Sequence, residues 1–215
     1  MRRIGGMMVL ALCVASCVTP EQNRLRDYNE DGVHLFRQGD YFSAHESFQA
    51  ALRLAPEDAD LHYNLGECYD RLGNVAKAEA SYQACLQRSP NHPACRQSLA
   101  SLFVRSQRWP DALKMTQDWL AREPKLSGPY AVDGWLWHQA GDLPRSQARL
   151  QQALEIDPND KLALIELALV YEAMQRPDRA LVLYERSLAQ DPVQPNVTKR
   201  VVALKASGTK APRPD

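Results

Sequence analysis

Residues 59–92 read ADLHYNLGECYDRLGNVAKAEASYQACLQRSPNH, and this stretch is one copy of a repeated pattern. Two segments of helical apolar periodicity are separated by Gly73 and closed by Pro90. A proline cannot continue a helix, so each copy ends where its second helix ends. The same proline returns every 34 residues, at Pro56, Pro90, Pro124, Pro158 and Pro192. A fixed period of this length predicts a stack of similar units.

Four further columns keep a constant spacing from these prolines. Two hold small residues, which allow two helices to pack closely: Gly32, Gly66, Ala100, Gly134 and Ala168, then Ala44, Ala78, Ala112, Ser146 and Ala180. Two hold mainly large residues, which fill the space within and between units: Leu35, Tyr69, Phe103, Trp137 and Tyr171, then Phe48, Tyr82, Thr116, Leu150 and Tyr184. A single unit cannot bury its apolar face, so the core must form by stacking.

This period and these columns closely resemble the tetratricopeptide-repeat (TPR) family. The resemblance implies an all-α fold, a right-handed α-solenoid of five helical hairpins. The units follow one another without insertion, at 25–58, 59–92, 93–126, 127–160 and 161–194. We expect residues 195–206 to form a capping helix that covers the last hairpin with Val197, Val201, Val202 and Leu204. Residues 207–215 are predicted to be a disordered tail.

The N-terminus carries an export signal. Met1–Arg3 is basic and Ile4–Ala15 is apolar but too short to span a bilayer, so residues 1–16 are predicted to be a signal peptide. Val14–Cys17 resembles the lipobox of bacterial lipoproteins, which implies a lipid on Cys17 and a tether over residues 17–24. By resemblance to enterobacterial sorting, the following Val18 implies the outer membrane, facing the periplasm. The alternative is an ordinary signal peptide or an uncleaved anchor with an incidental cysteine.

Charge and motif content argue against nucleic-acid binding and catalysis. Lys plus Arg and Asp plus Glu both total 26, so the basic surplus that phosphate binding needs is missing. Asp27–Gly32 matches the first half of a calcium loop, but Gln38 replaces the bidentate glutamate. A zinc-protease motif that starts at His45 fails at Gln49. No histidine shows metal-ligand spacing to a cysteine. We therefore predict no metal, no cofactor and no enzymatic activity.

Three cysteines follow Cys17, namely Cys68, Cys85 and Cys95, and this odd number cannot pair completely within one chain. Cys95 lies across an inter-repeat turn from Cys85, and an exported protein can keep a disulfide between them. The alternative is plain packing, because Cys85 occupies the column of Ala51 in the first unit.

By resemblance to the family, the first helix of each unit lines a concave groove that binds a protein partner. Tyr63 and Asn64 belong to this surface. Arg37, Arg71 and Arg105 recur at the repeat period. They either grip acidic side chains of the partner or only solvate the surface.

An apolar patch is expected on the first helices of the fourth and fifth units, formed by Ala131, Val132, Trp135, Ile165 and Leu169. An exposed apolar patch usually marks a binding site, and tryptophan is enriched in interface hot spots. The patch is therefore predicted to face the groove and bind the partner. The alternative is that the capping helix or the tail folds over it.

Trp119 departs from its column, which holds Ala51 and Ala153 in other units. An indole cannot make the usual close contact there. Either the packing between the third and fourth units is irregular, or Trp119 leans into a gap left by Thr116.

A lipid anchor combined with these repeats resembles the pilotin-type lipoproteins of type IV pili. That resemblance implies a protein-protein interaction scaffold on the envelope that assists assembly of a secretin or pilus complex. The alternative is a regulatory or accessory subunit of an envelope enzyme, such as a cell-wall hydrolase complex.

Overall fold

The computed structural model describes residues 19–210, and all regular structure in this range is helical. The predicted signal peptide, the lipidation residue Cys17 and the tail residues 211–215 lie outside the described residues. The helices are α1 (Pro20–Gln38), α2 (Tyr41–Leu54), α3 (Ala59–Arg71), α4 (Val75–Arg88), α5 (Pro93–Arg105), α6 (Trp109–Arg122), α7 (Ser127–Gln139), α8 (Leu143–Ile156), α9 (Lys161–Ala173), α10 (Pro177–Gln190) and α11 (Pro195–Ala206). Between residues 19 and 210, none of them is both long and apolar enough to cross a bilayer.

Consecutive helices pair as five hairpins, α1–α2 through α9–α10, and stack into a solenoid closed by α11. The all-α repeat fold predicted from the sequence is confirmed. Three hairpin turns place a glycine in the left-handed region, at Gly39, Gly73 and Gly141. The third and fifth hairpins have Gln107 and Gln175 at the same register, each with a φ of 60°. A side chain there costs on the order of 1 kcal/mol, so these two turns are the strained ones.

The small columns predicted from the sequence lie where two helices touch. A Cβ on Gly66 would lie 2.5 Å from the ring of Tyr82, and one on Gly134 would lie 2.5 Å from Leu150. The third repeat has a smaller difference in size, because Ala100 and Thr116 are buried at the equivalent positions.

Helix α1 begins at Pro20, so the predicted tether over residues 17–24 is wrong for residues 20–24. Thr19 and Gln22 form a reciprocal capping box that starts the helix earlier than the repeat register requires. The same helix runs through Asp27–Gln38, so the calcium-loop motif adopts no loop.

Helix α11 covers the last hairpin as predicted. Val197 and Val201 are buried and Leu204 is half-buried. Val202 is 62% exposed, so its predicted covering role is wrong. The reason is helical geometry, since a residue adjacent to the buried Val201 points about 100° away from it.

Trp119 is buried at the joint between the third and fourth repeats. Its Nε1 donates a hydrogen bond of 3.0 Å to Asn91 Oδ1, and the guanidinium of Arg96 lies 4.5 Å from the ring centroid. The indole packs on Gly128, where a Cβ would approach it to 2.8 Å. The space for this large side chain thus comes from a glycine in the next repeat.

Candidate functional site

The first helices of the repeats form one continuous surface. Side-chain hydrogen bonds join neighbours along it, including Asn64 to Asn29 at 3.5 Å and Ser98 to Glu67 at 2.7 Å. His138 Nδ1 lies 3.1 Å from a carboxylate oxygen of Glu166 on the next first helix. These contacts fix the spacing of the helices that border the groove.

A cavity of about 660 Å³ lies on this surface between α5, α7 and α9, and we call it the distal cavity. Its lining combines first-helix residues of the third to fifth repeats, residues of the connecting loops and Trp119 of α6. The lining consists of Asn91, Pro93, Ala94, Gln97, Trp119, Leu126, Ser127, Gly128, Ala131, Val132, Asp157, Asn159, Asp160, Lys161, Leu162, Ile165 and Glu166. Its volume suits a few side chains of a partner protein.

The distal cavity has an apolar floor and an acidic rim. Leu162 and Ile165 contribute partly buried apolar surface. Two carboxylates, the exposed Asp157 and the half-buried Asp160, lie at its rim, and Glu166 adds a buried one. Lys161 is the one basic residue of the lining, and it pairs with Asp191. The cavity therefore favours an apolar group accompanied by a positive charge.

Glu166 is a cavity residue that the sequence reasoning missed. It is 9% exposed and faces His138 from the middle of an apolar helix. The available signal was a carboxylate flanked on both sides by apolar residues in LALIELALV, because an unpaired charge is seldom buried.

The predicted apolar patch is only partly realised. Ala131 and Val132 border the distal cavity but have no exposed surface, so the prediction that they face the groove and not the core is wrong. Ala131 packs with residues of the fifth repeat and Val132 with residues of the third, because α7 is pressed between α5 and α9. Ile165 lines the cavity, whereas Trp135 and Leu169 are half-buried against the core beside it.

A second, smaller recess of about 160 Å³ lies between α1 and α3, and we call it the proximal cavity. Arg37, Tyr63 and Asn64 line it together with Glu67. Burial, with the nearby Glu67 carboxylate, raises the pKa of Tyr63 above its ordinary value. The Glu67 carboxylate accepts hydrogen bonds from the hydroxyls of Tyr82 and Ser98, each at 2.7 Å. This network holds the wall of the proximal cavity rigid.

The recurring arginines reach back toward the preceding repeat. The guanidinium of Arg71 lies 5.9 Å from the ring of Phe36, and Arg105 Nη2 donates to both carboxylate oxygens of Asp70, each at 2.7 Å. A partner carboxylate at Arg105 would therefore compete with Asp70. These contacts favour a role for Arg71 and Arg105 in joining repeats, while Arg37 borders the proximal cavity.

The cysteines divide into an isolated residue and a cluster. Cys68 is buried, and burial raises the pKa of its thiol to about 12. Cys85 and Cys95 are joined in a disulfide with their Cα atoms 6.7 Å apart. The ring of His92 lies against them, with potential ligand atoms of all three residues within 4.8 Å of one another. The sequence inference that no histidine stands at metal-ligand spacing to a cysteine is therefore wrong for His92, which precedes Cys95 by three residues.

Comparison with known proteins agrees with this architecture. Family models described as tetratricopeptide repeat match residues 31–93, and residues 73–131 and 138–206. Cellulose synthase operon protein C of Xanthomonas axonopodis pv. citri (strain 306) is 28% identical over 166 residues, which are 74% of this chain but 11% of that protein. The chain thus spans a small part of that relative's length.

Among solved structures, TTC0263, a thermophilic TPR protein of Thermus thermophilus, superposes with a TM-score of 0.65 at 26% identity. That match covers 86% of this chain and 99% of TTC0263. The Pseudomonas aeruginosa protein pilF shares the fold, with a TM-score of 0.56 at 14% identity over 88% of this chain and 86% of pilF.

Proposed function

We propose that this chain, which belongs to the tetratricopeptide-repeat family, is a non-enzymatic scaffold of the bacterial envelope that binds a protein partner in the groove of its first helices. The observation that carries the proposal is the distal cavity. It combines an apolar floor with a charged rim on a surface that three repeats build together. Such a recess buries anchor side chains of a partner while its polar rim selects their orientation.

The chemistry of the distal cavity defines the partner segment. Ile165 and Leu162 suit an aliphatic or aromatic anchor, and the carboxylates of Asp157 and Glu166 suit a lysine or arginine beside it. We therefore propose that the partner presents an apolar side chain flanked by a basic residue. Arg37, which borders the proximal cavity, offers a secondary contact for an acidic group of the same partner.

The proposed location follows from the N-terminal sequence. The Val14–Cys17 lipobox supports lipidation of Cys17, and a lipid supplies membrane affinity that the balanced charge of the chain does not. The Cys85–Cys95 disulfide agrees with an oxidising compartment such as the periplasm. We place the scaffold on the outer membrane, facing the periplasm.

Within this class we favour an assembly factor for a secretin or pilus complex, because a lipid-anchored array of this size resembles pilotin-type lipoproteins. A second candidate is an accessory subunit of an envelope enzyme. The similarity to cellulose synthase operon protein C over 166 residues favours it. The identity of the bound partner separates the two.

Affinity purification from detergent-solubilised membranes tests the groove. We expect the wild-type chain to retain a defined partner and Ile165→Arg to lose it, because the substitution places a charge on the apolar floor. Val182→Arg is the matched control, since Val182 is 40% exposed on the second helix of the same hairpin. Trp135→Ala reports whether the half-buried indole beside the cavity contributes. Retention of the partner by Ile165→Arg would place binding elsewhere.

Metabolic labelling with a fatty-acid analogue tests the anchor. We expect label on the wild type and on Cys13→Ser, and none on Cys17→Ser. A Cys17→Ser protein that still carries the label would refute the lipobox assignment.

A further inference from the structure

A recess of about 320 Å³ lies between the second helices α4 and α6 and the first helix α5, and we call it the outer cavity. It shares no lining residue with the distal or the proximal cavity. Its lining carries four basic residues, Arg96, Arg108, Lys114 and Arg122. Arg108 is neutralised within the cavity wall, because it donates hydrogen bonds of 2.6 Å to Glu79 and to Asp111. The other three cations therefore determine the charge of the recess.

Lys114 and Arg122 stand on one face of α6, each one helical turn from Asp118. Both are exposed, and neither forms an ion pair with any carboxylate between residues 19 and 210. Asp118 is the one carboxylate of the lining that Arg108 does not bind. The outer cavity thus keeps an excess of positive charge.

Arg96 is the buried cation of the outer cavity, with 6% of its surface exposed. Its Nε and Nη2 donate to the backbone carbonyl of Pro90 at 2.9 and 2.7 Å, and its guanidinium stacks on the ring of Trp119. These bonds use two of the five N–H groups of an arginine, so three are left. Nη1 forms no hydrogen bond within the described residues and keeps access to solvent. Burial and the nearby Arg122 cation lower the pKa of Arg96 to about 10, and no carboxylate offsets them.

Holding the carbonyl of the recurring proline does not explain this arginine. At the same position of the preceding repeat, His62 Nε2 lies 3.0 Å from the carbonyl oxygen of Pro56. In the following repeat, the hydroxyl of Tyr130 donates to Pro124 at 3.1 Å. One donor is enough in both repeats, so Arg96 adds a full charge and further N–H groups that the joint does not use. A buried cation without a carboxylate is costly, and an anion in the recess would offset that cost.

We propose that the outer cavity binds one phosphate group, with Arg96 and Arg122 donating hydrogen bonds to its oxygens and Lys114 adding a third positive charge. This site goes beyond the partner binding proposed above, because it lies outside the groove of the first helices. Three cations opposed by Asp118 leave two positive charges, and a phosphate monoester carries about 1.5 to 2 negative charges at pH 7. Guanidinium groups match phosphate oxygens in geometry. A carboxylate carries a single charge and fits the recess less well.

Isothermal titration calorimetry of the full-length chain with inorganic phosphate tests the site. The chain is kept in a neutral detergent at low ionic strength, because salt screens such contacts. We expect the wild type to bind one phosphate, and to bind acetate roughly tenfold more weakly. An absence of saturable phosphate binding, or an equal affinity for acetate, would overturn the proposal.

Variants locate the bound phosphate. Arg122→Gln removes an exposed donor and should weaken phosphate binding roughly tenfold, as expected for a hydrogen bond between charged groups. Arg96→Tyr copies the neutral donor of the fourth repeat and should weaken binding at least as much. Asp118→Asn removes the opposing charge and should tighten binding about threefold, which a purely structural role would not predict. Arg186→Gln, at an exposed arginine of α10, is the matched control. Equal phosphate affinity in Arg122→Gln and Arg186→Gln would refute the site.

Nanodiscs distinguish the two sources of a phosphate group, a soluble phosphomonoester and a lipid headgroup. The chain is held in discs that contain phosphatidic acid or, at matched surface charge, phosphatidylglycerol. A weaker apparent affinity for inorganic phosphate in the phosphatidic acid discs supports occupancy by the headgroup, and equal affinity in both discs supports a soluble ligand. Failure of the phosphate site would leave the distal cavity unaffected, because Ile165→Arg tests partner binding separately.

Discussion

Gly66 faces the ring of Tyr82 and Gly134 faces Leu150, each pair at the same sequence separation. These contacts follow from the sequence, because a fixed period keeps small and large columns in register. The buried charges do not follow from it. Asp133 is 3% exposed and pairs with Arg149 of the next helix at 2.8 Å, and neither residue belongs to a recurring column. A repeated pattern predicts which apolar side chains pack together. A polar pair that occurs only once leaves no such pattern, so only the structure shows it.

Asp133 should make stability depend on pH. Burial raises the pKa of its carboxyl above the ordinary 3.8, and the Arg149 guanidinium offsets only part of that shift. In the window between 3.8 and the raised pKa, the folded state binds more protons than the unfolded state. Asp133 therefore contributes its full stabilisation below pH 3.8, and this contribution is lost as the pH rises through the pKa of the folded state.

Urea denaturation across that pH range checks the expectation. The stability of the wild type relative to Asp133→Asn should decline as pH rises, because asparagine cannot titrate. Asp118→Asn, a change at an exposed carboxylate of α6, is the control and should leave the profile unchanged. A constant difference between wild type and Asp133→Asn at every pH would contradict the assignment.

The helices illustrate what periodicity determines and what it leaves open. The second helix of each unit ends close to its recurring proline, so the sequence locates these ends well. The repeat register predicts a later start for α1 than the structure shows, because a capping box depends on two particular side chains and not on the period. The packing of Trp119 is likewise not determined by the period. Its indole is accommodated by Gly128, in the first turn of α7, and by Asn91, in the connection between α4 and α5.

Replacing Trp119 should loosen the joint between α6 and α7. Trp119→Phe removes the hydrogen bond to Asn91 and should lower the free energy of unfolding by about 1 kcal/mol. Trp119→Ala also leaves a cavity and should cost about 3–5 kcal/mol. Urea denaturation followed by circular dichroism measures both values. Trp109→Ala, at a half-buried tryptophan of the same helix, is the control. If Trp119→Ala cost no more than Trp109→Ala, the indole would not be a packing anchor.

The groove is formed by several repeats together and not by any one helix. The distal cavity takes its walls from α5, α7 and α9, so it exists only when three repeats stack in register. Ile165, which the sequence assigns to the binding groove, lines this cavity, and its role in binding stays a prediction. The sequence assignment failed for Ala131 and Val132, because burial there depends on how closely the neighbouring repeats approach. A recurring sequence position specifies which face of one helix a residue occupies. Whether that residue is accessible depends on how the neighbouring repeats pack against the helix.

Deleting residues 195–215 should destabilise one end of the stack and leave the other intact. Without α11, the fifth hairpin loses the cover of Val197 and Val201 and the ion pair between Arg200 and Glu172. Burial of two valines contributes roughly 3 kcal/mol or more, so α9 and α10 should open far more often. Because each repeat contacts only its neighbours, α1 to α4 should keep their protection.

Hydrogen exchange with mass spectrometry resolves these two ends. We expect faster exchange in the truncated chain over α9 and α10, and unchanged exchange over α1 to α4. Val202→Ala is the matched control, because it alters an exposed residue of α11 and should leave every helix protected. Since α9 supplies Ile165 and Glu166 to the distal cavity, the truncated chain should also bind its partner more weakly. Equal acceleration in all helices would mean that the solenoid opens as a single unit, and unchanged exchange would mean that α11 does not cap it.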